Sequence, residues 1–317
     1  MTRPMIGISA CLLGQPVRFN GGHKKDNWVT DTLASVADFT AYCPEVGIGL
    51  PTPRPTLRLI AKDSEIRAVD SDTQSKDYTA PLQAYFDQHT KTIGQLDGYI
   101  LMQGSPSCGM ERVKLYGDRA MPEKIASGIF AERLQKAFPN MPIEEAGRLN
   151  DAPIAESFLT RLYVYHEWRT TQPYQSAASL IRFHSKHKFL IMLHDYAGYR
   201  RAGRMLADLS NSSDLPNIAE QYLTEIMNSL KAISTTGQRT NALLHLFGFL
   251  KTYLEPSEKD SVLAVIKRYQ QQDLPYVVPL TMLRHYATVH QQKDGYMWQQ
   301  SVWAPYPEHL NQYKNIV

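Results

Sequence analysis

The sequence predicts two domains of different class, an α/β domain with a mostly parallel sheet over residues 1–150 and an all-α domain over residues 151–317. Three observations carry this. A chain of 317 residues exceeds the roughly 100–200 residues of an ordinary domain. Its first half alternates short apolar runs with longer amphipathic stretches, as βαβ units do. Past Asp151-Ala152-Pro153 the strand signals fade, and apolar residues recur at three and four positions over long windows, the helical period.

Taken in order, Met5-Ile6-Gly7-Ile8-Ser9-Ala10 reads as the first strand and Phe39-Thr40-Ala41-Tyr42 as the second. Leu57-Arg58-Leu59-Ile60 and Ile66-Arg67-Ala68-Val69 alternate around Asp63-Ser64, a hairpin inserted into the βα succession. A helix over about 80–93 leads into a third parallel strand, Gly98-Tyr99-Ile100-Leu101-Met102. A helix over 126–138 stops before Pro139, and residues 143–149 are placed to close the sheet. In the second half, helices are expected over 154–170, 176–210, 217–234, 240–254 and 257–271, with a last one after Pro279. Pro153, Pro216 and Pro256 stand just before three of these starts or their caps.

With 43% hydrophobic and 21% charged residues, and Gly and Pro spread along its length, the chain is neither disordered, collagenous nor a coiled coil. No stretch approaches the roughly 18 uncharged apolar residues of a membrane span, and the first apolar run is too short for a signal peptide. A cytoplasmic protein is expected, with no membrane association and no obligate protein partner. The net charge of +3 is unevenly placed: residues 1–150 hold 17 Lys+Arg against 17 Asp+Glu, the remainder 17 against 14. Between residues 160 and 204, Arg161, Arg169, Arg182, Lys186, Lys188, Arg200, Arg201 and Arg204 face only Glu167 and Asp195, a local excess that a polyanion would feel.

All three cysteines lie in the first half, each at or shortly after the end of an expected strand: Cys11, Cys43 and Cys108. In an open parallel sheet the loops leaving neighbouring strands converge on one crevice, so the three sulfurs are placed to meet. An odd number in a reducing compartment builds no disulfide framework. Three thiolates without a nearby His suit a soft metal centre, either zinc or an iron-sulfur cluster. Structural zinc sites use close cysteine pairs, whereas these are 32 and 65 positions apart. A 4Fe-4S cube on three cysteines would keep one iron open as a Lewis acid.

At these residues the sequence resembles the thiouracil desulfidase (TudS) family. The resemblance rests on Ser9-Ala10-Cys11-Leu12-Leu13-Gly14, on Cys43-Pro44-Glu45 continuing to Gly49-Leu50-Pro51-Thr52-Pro53-Arg54, and on Ser105-Pro106-Ser107-Cys108-Gly109, and covers about residues 4–150. The remainder is similar to the helical YbgA-type domain through Phe183-His184-Ser185-Lys186-His187-Lys188 and Val278-Pro279-Leu280-Thr281-Met282-Leu283-Arg284-His285. The fusion resembles the RudS family of tRNA 4-thiouridine desulfidases. This implies a Rossmann-like first domain, a 4Fe-4S cluster on Cys11, Cys43 and Cys108, and non-redox removal of sulfur from a thiolated pyrimidine. The family often has Lys two residues before the Ser-Pro-Ser-Cys-Gly turn and an aromatic-Asp-Gly after the first motif; here these are Gln103 and Phe19-Asn20-Gly21.

For that chemistry Glu45 is the expected acid/base group, two residues from a ligand, in a loop where burial and cluster charge act on it. Ser105 and Ser107 offer hydroxyls to the pyrimidine edge or the attacking water, and Ser9 does the same from the first strand. Arg54 is suited to a phosphate or a carboxylate. In the helical half, Arg182, His184, Lys186, His187 and Lys188 are the expected tRNA contacts, with Trp168, Tyr196 and Tyr199 available for stacking. His184, His187 and His194 read as a solvated polar helix face rather than a metal site. Two other functions fit the same sequence: a desulfidase for free thiouracil or thiouridine nucleotides, and a non-catalytic RNA-binding protein with a structural three-cysteine metal site.

Overall fold

Four short parallel strands frame the first unit of the computed structural model, which describes residues 2–63, 65–117, 121–207, 209, 214–291 and 295–313. β1 (Met5–Ser9) lies between β2 (Asp38–Tyr42) and β5 (Gly98–Leu101), and β8 (Ile143–Glu145) completes the order β2-β1-β5-β8. The register runs from Met5 opposite Asp38 to Ser9 opposite Tyr42, and Ile6 opposite Gly98. A central parallel strand is buried on both faces, which is why Ile6, Ile8, Ile100 and Leu101 are continuous apolar sequence and fully buried. α2 (Thr79–Ile93) buries Leu82, Phe86 and Ile93 and packs Phe86 edge-on against Phe130 of α3 (Ile129–Ala137).

Gly7 sits where β1 passes beneath the Tyr99 ring; a β-carbon there would lie 2.4 Å from that ring and 2.7 Å from Leu96. Overpacking of this kind costs about 1–3 kcal/mol. Gly7→Ala is therefore expected to lower the free energy of unfolding by about that amount, read as a lower urea midpoint at an unchanged slope.

The hairpin of β3 (Leu57–Lys62) and β4 (Glu65–Asp70) is present, but it belongs to a second sheet, β4-β3-β6-β7, that the sequence did not announce. Its other strands, β6 (Val113–Tyr116) and β7 (Glu123–Ala126), are four residues long and half polar, too short to leave a pattern. β7 also takes Ala126 from the helix expected over 126–138, and α3 begins only after Gly128. There a β-carbon would lie 2.5 Å from the Ser107 carbonyl, so the helix starts against the Cys108 turn. Of the closing segment 143–149, only Ile143–Glu145 is strand; Arg148–Asn150 forms a tight 3-10 turn. Between β1 and β2 there is no α-helix but a wide π-helical turn, Trp28–Thr32, because residues 15–27 are held as a loop against the Cys11 turn.

The contacts divide the chain into Met1–Asp151 and Ala152–Val317. The second unit contains α4 (Ala152–Thr171), α5 (Ala177–His194), α6 (Tyr196–Ala207), α7 (Leu215–Lys231), α8 (Thr236–Leu250), α9 (Pro256–Gln270) and α10 (Val277–Gln291). The single helix expected over 176–210 is two: Asp195 is extended, at φ −149 and ψ 102, and residues 208 and 210 lie outside the described ones. Gly198, just after the break, has Ser229 Oγ 1.9 Å from where a β-carbon would stand, so the break lets α6 press onto α7. The helix expected over 240–254 begins four residues earlier, at Thr236, as α8, capped by Thr235 with Gln238 in a reciprocal box. α10 starts before Pro279, which falls in the first turn, where its missing N–H is not needed. Among the described residues no helix is long and apolar enough to cross a membrane.

Candidate functional site

The strand order reverses between β1 and β5, and outside their carboxyl ends lies a cleft of about 180 Å³. That is where open parallel sheets bind ligands. Cys11 follows β1, Cys43 follows β2 and Cys108 lies in the loop after β5, and all three line the cleft as free thiols. Cys11 and Cys108 are buried and Cys43 half-buried. Burial, then the charge of Cys43, pushes the Cys11 thiol up to about 11; burial and the same neighbour raise Cys108 well above the ordinary thiol value, and burial raises Cys43. Three thiols that oppose one another's ionisation form a donor set that only added positive charge relieves. Among the described residues no three Cys, His, Asp or Glu side chains are gathered tightly enough to chelate one metal ion. The three sulfurs line one cleft, a soft donor set of the kind that suits an iron-sulfur cluster.

Glu45, in the short turn after Cys43, is fixed at both oxygens. Oε1 accepts from the Ser107 hydroxyl at 2.6 Å, and Oε2 accepts from Arg54 Nε at 2.9 Å and Nη2 at 2.8 Å. The serine proton is thereby committed to the carboxylate, so the 3.0 Å contact between the Ser105 and Ser107 hydroxyls runs with Ser105 as donor. Ser105 Oγ in turn accepts from the backbone N–H of Ser107 and of Cys108, at 3.3 and 3.1 Å. A directed line results, Ser105 to Ser107 to Glu45, with Arg54 behind it. Glu45 caps no backbone amide here.

Arg54 was open to either a phosphate or a carboxylate in the sequence, and the structure pairs it with Glu45. It is 9% exposed, and its remaining N–H groups go to the carbonyls of Pro51 and Val17 and to Thr52 Oγ1. It positions Glu45 and has no donor left for substrate. Ser9, 2% exposed, accepts from Met102 N–H at 3.0 Å and bonds the Cys108 sulfur with its hydroxyl, which makes it a clasp between β1 and the third cysteine loop. Residues on this wall that sequence reasoning did not single out for the site include Val17, Arg18, Tyr42, Thr56, Leu57 and Met102. Gln103 and Phe19, noted in the sequence only as departures, also line it.

In the second unit the expected contact face is largely internal. His187 is 2% exposed, with Nδ1 on Ser301 Oγ at 2.8 Å and Nε2 3.4 Å from Glu167. His194 is buried against the Ala232 carbonyl at 2.7 Å, and His184 meets the Tyr222 hydroxyl at 3.1 Å. Burial, with Lys188 nearby, lowers the His184 value to about 4. The three histidines thus do not form a solvated face: His187 and His194 are interior and His184 half-buried, each hydrogen-bonded within the unit. Trp168 is core, 6% exposed, and offers no free ring. Lys186 is spent on Glu167, at 2.8 and 2.7 Å, and Arg201 on Glu225 and Asp195. Lys188 Nζ stands 4.9–5.0 Å from the ring centroids of Phe189, Phe249 and Tyr296. Arg182, Arg200 and Arg204 remain exposed.

Residues 6–146 match the 2-thiouracil desulfurase family, and residues 188–307 match a family described as a protein of unknown function, DUF1722. A curated relative, the uncharacterized protein YbgA of Escherichia coli (strain K12), is 24% identical over 157 residues, which span 49% of this chain and 92% of that protein. A solved structure of a 4Fe-4S-dependent thiouracil desulfidase, TudS (DUF523Vcz), is 30% identical; the match covers 49% of this chain and 99% of that one, with a TM-score of 0.40.

Proposed function

From a chain that joins a 2-thiouracil desulfurase family domain to a DUF1722 domain, we propose a non-redox desulfidase that converts 4-thiouridine in tRNA to uridine and releases sulfide. The observation that carries this reading is that three free thiols and the Ser105–Ser107–Glu45 line wall the same cleft. The donor set fits a 4Fe-4S cluster on Cys11, Cys43 and Cys108, which when bound supplies a soft Lewis acid for the thiocarbonyl sulfur.

The net reaction replaces C=S by C=O with water and yields hydrogen sulfide, so both water protons must finally leave with the sulfur. As the water oxygen bonds to the ring carbon it has to lose a proton. Ser105, at the cleft end of the line, is placed to receive it while its own proton passes to Ser107 and that of Ser107 to Glu45. Glu45 then returns a proton to the departing sulfur by the same route, acting as base and acid in turn. Arg54 keeps the carboxylate aimed at Ser107 throughout. The exposed Arg182, Arg200 and Arg204 provide phosphate contacts in this reading, which transfers the grip on tRNA from the middle of α5 to its start and to α6.

The test uses anaerobically purified, iron- and sulfide-quantified protein, incubated with thiolated tRNA and with free 4-thiouracil over a range of salt. Sulfide release from both is expected, with the tRNA arm alone falling steeply as salt rises. Reversal of Arg182, Arg200 and Arg204 to Glu should depress tRNA turnover, relative to turnover of the free base, on the order of 10–100-fold. No sulfide from either substrate refutes the desulfidase. Wild-type tRNA turnover by the reversed protein refutes this face as the RNA grip.

A further inference from the structure

The helical unit holds a pocket larger than the cysteine cleft, about 470 Å³, a volume within the roughly 300–1,000 Å³ of small-molecule sites. One wall is α5, where Ser179, Arg182, Phe183 and Lys186 recur at the three-and-four spacing of a single helix face. Glu167 of α4, Pro173 of the turn between the two helices, and Tyr296 and Gln300 beyond α10 complete it. The pocket is built before any ligand arrives. Ser301 Oγ fastens the segment after α10 to α5, bonding the Lys186 carbonyl at 3.2 Å and His187 Nδ1 at 2.8 Å. Lys186 Nζ meets both Glu167 oxygens, at 2.8 and 2.7 Å, and so ties α4 to α5.

Two groups on these walls keep unused bonding capacity. Arg182 is exposed, and its side-chain bond among the described residues goes to Ser179 Oγ at 3.0 Å, which leaves most of its five donors free. Gln300 is 3% exposed. Its Nε2 donates to the Tyr296 carbonyl at 3.1 Å, which orients the amide, and no donor among the described residues reaches its Oε1. A buried acceptor without a donor is costly to keep, and it marks a place where a ligand N–H would be taken up.

The charges select the ligand. Arg182 and Lys186 stand one turn apart on α5, and Glu167 neutralises Lys186, so the pocket favours one negative charge beside Arg182 and opposes a second. A phosphate monoester carries about −1.5 to −2 at neutral pH and exceeds that balance. A carboxylate matches it, and the guanidinium fork takes a carboxylate bidentately. Gln300 Oε1 and the remaining lone pairs of Glu167 call for a cationic N–H donor in the same molecule. Phe183, Pro173 and Tyr296 offer that molecule an apolar wall. We propose that the pocket binds a free α-amino acid with a large apolar side chain, its carboxylate on Arg182, its ammonium between Gln300 and Glu167. The site is independent of the cysteine cleft and of the desulfidase reading. Arg182 also belongs to the tRNA grip proposed above, so the test contains no RNA.

Binding to the anaerobically purified full-length protein is measured by calorimetry with phenylalanine as the probe. Phenylpropionate lacks the ammonium, phenylethylamine lacks the carboxylate, and uridine 5′-monophosphate stands for a nucleotide. Phenylalanine is expected to bind about 10–100-fold tighter than either truncated analogue, the scale of one charge-assisted contact, and tighter than the nucleotide. Arg182→Gln should weaken phenylalanine by a similar factor and leave phenylethylamine unchanged; because Arg182 is exposed, the fold survives this change. Gln300→Met, which keeps the side-chain length, should weaken phenylalanine and phenylethylamine but not phenylpropionate. No binding of phenylalanine, equal affinity for it and either analogue, or an affinity that survives Arg182→Gln overturns the proposal. Tighter binding of the nucleotide than of phenylalanine overturns it too, and assigns the pocket to the RNA face. None of these outcomes alters sulfide release, which tests the desulfidase separately.

Discussion

Cys43→Ser is expected to reduce bound iron and acid-labile sulfide to background and to abolish desulfuration, while thermal unfolding of the cluster-free protein stays within a few degrees of the unsubstituted chain. Cys43 is the residue at which these effects separate best. It is half-buried at the entry to a short turn, its sulfur makes a long contact to the Val17 carbonyl, at 3.9 Å, and accepts from the Glu45 and Val46 backbone N–H groups, and serine is close in size and favourable at a helix entry. A serine oxygen keeps those cap bonds, so folding loses little, whereas a cube reduced to two protein thiolates leaves two irons without a protein ligand. Iron and sulfide counts, visible absorbance and nucleoside analysis read the outcome together. Cys11→Ser and Cys108→Ser should show the same losses. A Cys43→Ser protein that keeps its cluster and activity contradicts the three-cysteine assignment. Stability and RNA affinity lost together, with no sulfide released by the parent, would instead favour a structural metal in an RNA-binding protein.

The second large effect is expected at Glu45. Glu45→Gln should lower kcat about 10²-fold or more with iron content retained, the scale of an acid/base group. The geometry supplies a reason beyond the missing charge. Glu45 is an acceptor at both ends, from Ser107 at Oε1 and from Arg54 at Oε2. An amide has one oxygen, and Arg54, which cannot give up its protons, claims it. The amide nitrogen then faces Ser107, whose hydroxyl must turn from donor to acceptor, and the line from Ser105 is interrupted. Unchanged turnover in this variant would place the proton transfer at Ser105 or in the water itself.

The parallel frame was legible because its central strands β1 and β5 are buried on both faces and so appear as unbroken apolar runs, and the cysteine cleft was legible because each thiol comes at or soon after the end of an expected strand. β6 and β7 were not, since Val113-Lys114-Leu115-Tyr116 and Glu123-Lys124-Ile125-Ala126 owe their pairing to β3 and to one another rather than to their own pattern. At the site, the sequence named Glu45, Ser105 and Ser107 but had no means to order them, and it left Arg54 undecided. Arg18 escaped notice because one arginine in a loop has no spacing to betray it. The helical half misled for a different reason. α5 packs against α6, α7 and α8 over much of its surface, so residues that look like a polar stripe in the sequence, His184 and His187, are satisfied by Tyr222 and Ser301. A helix surrounded by helices carries little amphipathic signal.

The Ser9–Met102 hydrogen bond, which joins groups 93 positions apart, has a meaning for biosynthesis. β1 leaves the ribosome early and finds β2 soon after, but the strand on its other side, and with it Cys108, follows only after a long intervening stretch. Closing so large a loop is entropically slow compared with local pairing. On the proposed three-cysteine ligation, a nascent chain that has exposed Cys11 and Cys43 is an incomplete chelator until Cys108 follows 65 residues later, able to capture stray metal but not to house a cube. Loading of iron and sulfide in that proposal belongs to the finished α/β unit, and premature capture of a thiophilic ion by the first two thiols is the competing reaction that closure of β5 onto β1 ends.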